Sequence, residues 1–175
     1  MENPGSEILS LARQAVEHYV RTGGFLPPPA DPPPALKDAG AVFVSLRVDR
    51  TLRGCIGTLL PTKPTLAEEV IANAVAAAVS DPRFPAVSPE ELPGLSYEVD
   101  ILGPLVQVSG EDELDPEQYG VVVESGRRRG VLLPALEGVT SREQQVAIAR
   151  VKAGIGPHEP VNLYRFTVTR FREEE

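Results

Sequence analysis

The chain has very few of the residues that commonly carry cross-linking, metal or redox chemistry. Its 175 residues include one cysteine, two histidines, one methionine and no tryptophan. A single cysteine cannot form an internal disulfide, and one cysteine with two distant histidines does not supply the closely spaced ligands of a zinc site. We therefore expect neither a disulfide framework nor a metal site.

Basic charge is also scarce. The chain has 17 lysines and arginines against 25 acidic residues, which gives a net charge of -8 and a pI near 4.9. Because binding to a phosphate backbone requires a clustered excess of basic residues, we expect no nucleic-acid partner. The first residues lack a basic region followed by a long apolar run, so we predict a cytoplasmic protein without a membrane partner.

The overall composition is that of a folded globular protein, with 42% hydrophobic and 24% charged residues. A chain of this length can bury about 70% of its unfolded surface. We predict one domain over residues 1–175, with residues 172–175 as an acidic tail. Residues 26–34, LPPPADPPP, favour extended polyproline geometry, which predicts a stiff surface spacer in preference to a ligand for SH3-type domains.

Three stretches have the pattern of helices. The first is amphipathic and ends at Gly23. The second and third begin with the spacing of a capping box, at Thr65 and at Ser141. The predicted helices cover residues 8–22, 66–80 and 142–153.

Alternating apolar residues predict the strands. Turns at residues 49–50 and 125–129 make two hairpins, and residues 106–108 are expected to extend or pair with the strand before them. Two rounds of hairpin, helix and strand are visible, without a convincing residue-level repeat. The fold class is therefore α+β, with antiparallel or mixed sheets and helices packed on one side. The predicted strands cover residues 41–48, 52–60, 95–102, 106–108, 120–124, 130–133 and 162–171.

Cys55 is the most distinctive chemical feature, within the segment LRGCIGT. Gly54 and Gly57 permit a close approach of backbone or ligand, and Arg53 supplies a positive charge of the kind that activates thiols. From these residues alone, a small buried hydrophobe is the favoured interpretation of Cys55. A reactive thiol is the alternative.

Glu98 and Asp100 share one face of a predicted strand, where two carboxylates could hold a metal or act as acid and base. The solvated face of a half-buried strand is the favoured interpretation. The basic cluster at 127–129 is interpreted first as a solvated hairpin turn and second as an anion contact.

The motif DPRFP follows the second predicted helix. We expect Asp81 and Arg83 to pair at this helix exit and Phe84 to plug the core. The glycines of the chain match neither a phosphate-binding loop nor a dinucleotide fingerprint, so a nucleotide enzyme of the common kinds is not expected.

Several segments, taken in order, resemble the AMMECR domain family, and the resemblance covers nearly the whole chain. The segments are FVSL (43–46), LRGCIGTL (52–59), NAVAAAVSDPRFPAV (73–87), ELPGLSYEVDIL (91–102), GVVVESGRRRGVLLP (120–134) and KAGIG (152–156).

The resemblance implies an α+β domain of two subdomains, with the RGCIG segment lining a cleft between them. Residues 52–57 match the family signature, and DPRFP matches a second block. The implied candidates for catalysis are Cys55 and Arg53. The implied ligand-binding residues are Gly54, Ile56, Gly57, Thr58, Asp81, Arg83 and Phe84.

The resemblance names no reaction, substrate or cofactor. It does imply a pathway shared with a Memo-type dioxygenase-like protein and a radical SAM protein. Three hypotheses follow: an enzyme acting on a small molecule through Cys55, a non-catalytic binding or scaffold module that uses the same cleft, and a purely structural motif in which Arg53 forms an internal ion pair.

Overall fold

The computed structural model describes residues 3–174, so the last residue of the predicted acidic tail lies outside the described residues. The chain divides into two compact units. The first unit comprises the chain up to Leu102 together with the segment from Thr169 onward, and the second comprises Gly103–Val168.

The helices are α1 (Pro4–Thr22), α2 (Pro34–Lys37), α3 (Leu66–Val79) and α4 (Arg142–Ala153). The three long helices confirm the predictions, except that α1 begins at Pro4, four residues before its predicted start, and α3 ends one residue before its predicted end. The side chains of Thr65 and Ser141 each accept a hydrogen bond from a backbone N–H of the first turn, and Gly23 ends α1 with a φ of 77°. Among the described residues, no helix is long and apolar enough to cross a membrane.

Within residues 3–174, eight strands form two four-stranded sheets, in agreement with the predicted α+β class. They are β1 (Val42–Val48), β2 (Thr51–Gly57), β3 (Ser96–Leu102), β4 (Val106–Val108), β5 (Gly120–Ser125), β6 (Arg128–Leu132), β7 (Asn162–Phe166) and β8 (Val168–Arg172). The first unit contains the order β2-β1-β3-β8, and the second contains β4-β7-β5-β6. Both predicted hairpins are present and antiparallel.

Three strand predictions were wrong in detail. The strand expected over residues 52–60 ends at Gly57, because Thr58 and the following residues form a loop over α3. Residues 106–108 pair with β7, not with the strand before them. The single strand expected over residues 162–171 is interrupted at Thr167, and its two halves belong to different sheets.

The two units repeat one topology. In each, a hairpin is followed by a helix, and the next strand then pairs with the first strand of the hairpin: β1-β2-α3-β3 in the first unit and β5-β6-α4-β7 in the second. The fourth strand of each sheet is exchanged, since β4 follows β3 in the chain but joins β7, and β8 follows β7 but joins β3.

The core of the first unit lies on one face of its sheet. Val42, Val44 and Leu46 are fully buried there with the apolar faces of α1 and α3. The core of the second unit is formed by α4 with β5 and β6. The opposite face of the first sheet is therefore the one whose side chains the helices leave uncovered.

Candidate functional site

Cys55 lies in a row of polar side chains that crosses the first sheet. The register pairs Ser45 with Cys55 on one side and with Glu98 on the other. These three residues, here called the polar row, project from the face opposite α3. The Ser45 hydroxyl donates a hydrogen bond to Cys55 Sγ at 3.2 Å, so the sulfur faces a donor that stabilises a thiolate.

The carboxylates of β3 are buried and paired. Glu98 is 2% exposed and Asp100 is 1% exposed, which makes the expected solvated face wrong. Arg170 Nε and Nη2 bind the two oxygens of Asp100 at 2.7 and 2.9 Å, and the Arg172 guanidinium binds Glu98. Burial nevertheless raises the pKa of Asp100 above its ordinary value. The cations of β8 permit these carboxylates to lie inside the fold.

Asp81 fixes the backbone of Cys55. Its Oδ2 accepts the Cys55 backbone N–H at 3.0 Å, and Arg83 binds both oxygens of Asp81 through Nε at 3.0 Å and Nη2 at 2.7 Å. The hydrogen bonds from Arg83 hold the pKa of Asp81 well below its usual range. Because β2 is an edge strand, this carboxylate also occupies an N–H that another strand could otherwise use.

The predicted pair of Asp81 and Arg83 is thus present, but Phe84 does not plug the core. Its side chain is half-buried, and it is not among the described residues that form or flank the apolar core of the first unit. The guanidinium of Arg83 lies 5.5 Å from the centre of its ring. Phe84 therefore supports the arginine from one side.

Two arginines from distant segments act on the thiol. The pKa of Arg83 is raised, first by its hydrogen bonds to Asp81 and also by the charge of Cys55. The pKa of Arg170 is raised first by Asp100, and Cys55 again contributes. The charges of both guanidinium groups therefore favour the thiolate form of Cys55.

Arg53 is directed elsewhere. Its Nε and Nη2 bind the carboxylate of Glu91 at 2.8 and 3.2 Å, and Arg53 is the largest cause that lowers the pKa of Glu91. A bulge in β2 explains this, because the register passes from Leu46↔Gly54 to Arg47↔Leu52 and leaves Arg53 as the extra residue. Leu52, not Arg53, follows Cys55 along its face of the sheet.

The other predicted ligand-binding residues of this segment have structural partners. Gly54 lies against the carbonyl of Ala77 in α3, and Ile56 packs on the apolar core. Gly57 lies against the ring of Phe43. Thr58 donates to Glu69 at 2.6 Å, so the structure places it with α3.

Sequence reasoning missed Glu69, which is fully buried in α3. Its oxygens accept from the Thr58 hydroxyl, from the backbone N–H and hydroxyl of Thr62, and from the backbone N–H of Lys63. Burial opposes the charged form, but these hydrogen bonds together hold the pKa below its ordinary value. The signal was a glutamate in the first helical turn after a threonine-rich loop.

It also missed the role of Arg170 and Arg172. A signal was available, because acidic residues two positions apart in one strand and arginines two positions apart in another are complementary across a sheet. The pairing of β3 with β8 could not be read from either segment alone.

The second unit lacks the polar row. Its β5–β6 register pairs Val122 with Val131, and β7 places Tyr164 beside Val122. These three residues occupy the positions of Ser45, Cys55 and Glu98 in the repeated topology, since Gly130 packs on the carbonyl of Ala149 as Gly54 packs on Ala77. The fold alone therefore does not require polar residues there.

The predicted hairpin turn is present but shorter than expected, because only Arg127 of the arginines at 127–129 lies in it, and Arg128 and Arg129 begin β6. Gly126 has a φ of 60°, Arg128 pairs with Glu159, and Arg129 pairs with Glu124. Within residues 3–174, no group of three or more histidine, cysteine or acidic side chains is placed to hold a metal ion.

Fold and site together define an α+β protein with two repeated sheets and a cysteine-centred polar row in one of them. The model of the AMMECR1 family matches residues 9–174, and the chain belongs to this family. A Thermotoga maritima protein is 50% identical over 164 residues, covering 92% of this chain and 94% of its own. The crystal structure of an uncharacterized Pyrococcus horikoshii protein, 36% identical, has a TM-score of 0.92 and covers 99% of this chain and 94% of that chain.

A longer relative is found in Clostridium acetobutylicum. It is 42% identical over 167 residues, which is 94% of this chain but 36% of the relative. The matched region therefore also occurs within a larger protein.

Proposed function

We propose that Cys55 is a nucleophilic thiolate that acts on a small molecule. The observation that carries this proposal is the contrast between the two units: the polar row of the first is replaced by Val122, Val131 and Tyr164 in the second. A polar row that the topology does not need, centred on the chain's one cysteine, is more economically explained by chemistry than by packing.

Each neighbour of the thiol has a role in this proposal. The Ser45 hydroxyl donates to the sulfur, Arg83 and Arg170 stabilise its negative charge, and Asp81 fixes the backbone that carries it. The sulfur attacks an electrophilic carbon, a sulfur–carbon bond forms, and the leaving group departs with its bonding electrons. In this proposal the positive charge that activates the thiol comes from Arg83 and Arg170, and not from Arg53 as the sequence led us to expect.

We place this reaction in the cytoplasm, in a pathway shared with Memo-like and radical SAM proteins. The support is the family resemblance and the Clostridium relative, whose remaining length leaves room for a further activity. The alternative is a non-catalytic binding or scaffold module at the same residues. It is favoured by the fact that the backbone N–H of Cys55 already has a protein acceptor in Asp81.

Alkylation of Cys55 tests the proposal. Because the chain has one cysteine, the rate of thioether formation with iodoacetamide, measured by intact mass across a pH series, reports this thiol. We expect labelling at pH 7 to be about tenfold faster than for a cysteine peptide. The labelling rate should also reach its plateau at a lower pH than the rate for the peptide. Ser45→Ala should slow it by about three- to tenfold, since one donor to the thiolate is lost.

Two controls accompany the series. Cys55→Ala should show no adduct, and Ser10→Ala, which removes an exposed hydroxyl on α1, should leave the rate unchanged. A folded protein whose thiol reacts no faster than the peptide would overturn the nucleophile and support the binding module.

A further inference from the structure

We propose that the molecule taken at Cys55 is an anion, with a carboxylate or phosphate next to its electrophilic carbon. This inference rests on the proposed function and names its substrate class. Three features of the first unit carry it: the setting of Arg83, an unpartnered nitrogen of Arg47, and the balance of charge on the face that holds the polar row.

Arg83 is built as an anion-binding group. Its side chain is 53% exposed, whereas the Asp81 carboxylate that holds it is 2% exposed. The pair uses Nε and Nη2 of the guanidinium, which leaves Nη1 out of the pair. An arginine whose orientation is fixed in this way loses little entropy when it binds a second oxyanion. Arg83 Nη2 and the backbone N–H of Cys55 both donate to Asp81 Oδ2, at 2.7 and 3.0 Å, so the guanidinium lies next to the backbone that carries the reacting sulfur.

Arg47 supplies the independent observation. It follows Ser45 by two positions on β1, so both side chains project from the same face of the sheet. Its Nε is buried and has no hydrogen-bond partner among the described residues. A buried guanidinium N–H without an acceptor is unfavourable, and an anion bound on this face would supply the acceptor.

The formal charges on this face also favour an anion. Among the described strands of the first sheet it carries three arginines, at 47, 170 and 172, against Glu98 and Asp100. The thiolate balances the extra positive charge. Once the sulfur forms a covalent bond, that balance is lost, and an anionic group on the substrate restores it.

Two alkylating reagents that differ in charge test this inference. With both iodoacetate and iodoacetamide the thiolate forms a sulfur–carbon bond and iodide leaves into solution, but only iodoacetate carries a carboxylate beside the reacting carbon. We expect the ratio of their rates, iodoacetate over iodoacetamide, to be about fivefold higher for the folded protein than for a cysteine peptide. Arg83→Gln should lower the ratio about two- to threefold, toward that of the peptide, and Arg83→Lys should retain part of the preference.

Further variants separate the possible causes. Arg47→Gln should lower the ratio about twofold, by loss of a second, more distant cation. Lys37→Gln removes the same unit of charge from an exposed ion pair with Asp31 and should leave the ratio unchanged. If Arg83→Gln fails to fold, the anion site is still tested by the rate ratio of the wild-type protein and by the change in that ratio in Arg47→Gln.

The two proposals fail in different ways. Fast labelling by both reagents with the ratio of the peptide would overturn the anionic substrate and leave the nucleophile standing. Slow labelling by iodoacetamide would overturn the nucleophile itself. A preference for iodoacetate that survives Arg83→Gln and Arg47→Gln together would also overturn the anion site.

Discussion

Glu69 and Asp81 are buried carboxylates that are each held by donors from more than one residue. Glu69 has donors from Thr58, Thr62 and Lys63, which tie the loop after β2 to α3. Asp81 has Arg83 and the backbone of Cys55. In both, hydrogen bonds outweigh the cost of burial and lower the pKa, so each residue stabilises the fold in its charged form.

Replacement of Glu69 tests this at the residue scale. Glu69→Gln would turn an amide group toward donors of Thr62 and Lys63, so we expect a loss of about 2 to 4 kcal/mol in the free energy of unfolding by urea. The control is Glu68→Gln, its half-buried neighbour, which should cost less than about 1 kcal/mol. Equal effects of the two substitutions would contradict the role assigned to Glu69.

Glu69 also makes the free energy of unfolding depend on pH. Because the pKa of Glu69 is lower in the folded state than its ordinary value of 4.5, its contribution is present above that value and is lost as the pH falls through the folded pKa. The free energy of unfolding of Glu69→Gln should therefore fall less steeply below about pH 4.5 than that of the wild type. Parallel curves for the two proteins would contradict this prediction.

At the scale of elements, each hairpin packs on the helix that follows it through a glycine. A Cβ at Gly54 would lie far inside van der Waals contact with the carbonyl oxygen of Ala77, a backbone atom that cannot move aside. The small residues of α3 and the glycine of β2 therefore set the distance between helix and sheet, and with it the position of Cys55.

Gly54→Ala tests this packing. We expect a loss of about 3 kcal/mol in the free energy of unfolding, because the methyl group forces β2 and α3 apart. Gly94→Ala is the matched control, since a Cβ there meets nothing within 4 Å. A Gly54→Ala protein as stable as the control would show that the helix can shift without cost.

The exchange of fourth strands is a property of the whole molecule. β8 supplies the cations for Glu98 and Asp100, although it follows β7 of the second unit in the chain. Removal of one partner from a buried ion pair leaves the other uncompensated. The first sheet thus depends on β8, a segment that follows all strands of the second sheet in the chain.

We therefore expect the two units to unfold together. Arg170→Ala should lower the free energy of unfolding by about 3 to 5 kcal/mol. In hydrogen exchange with mass spectrometry over a urea series, peptides of β1 and β5 should lose protection at the same urea concentration, in the variant as in the wild type. Separate midpoints for the two peptides would show that the units are independent.

The sequence by itself determined the long helices, their caps and both hairpins. These depend on periodicity, capping residues and turns within a few positions of one another, so the information is local. It also marked Cys55 and the pair of Asp81 and Arg83. The division of residues 162–171 between two sheets could not be predicted, because its alternation is continuous across Thr167 and only the pairing partners differ.

Only the tertiary structure decided what surrounds the cysteine. Glu98 and Arg170 lie far from Cys55 in the chain. Ser45 is ten residues away in the same hairpin, but it faces Cys55 only through a strand register that a one-residue bulge at Arg53 shifts. The sequence could name the residue on which the proposed chemistry depends. The charges and donors that act on that residue come from three other strands and a loop, and the pairing of strands brings them together.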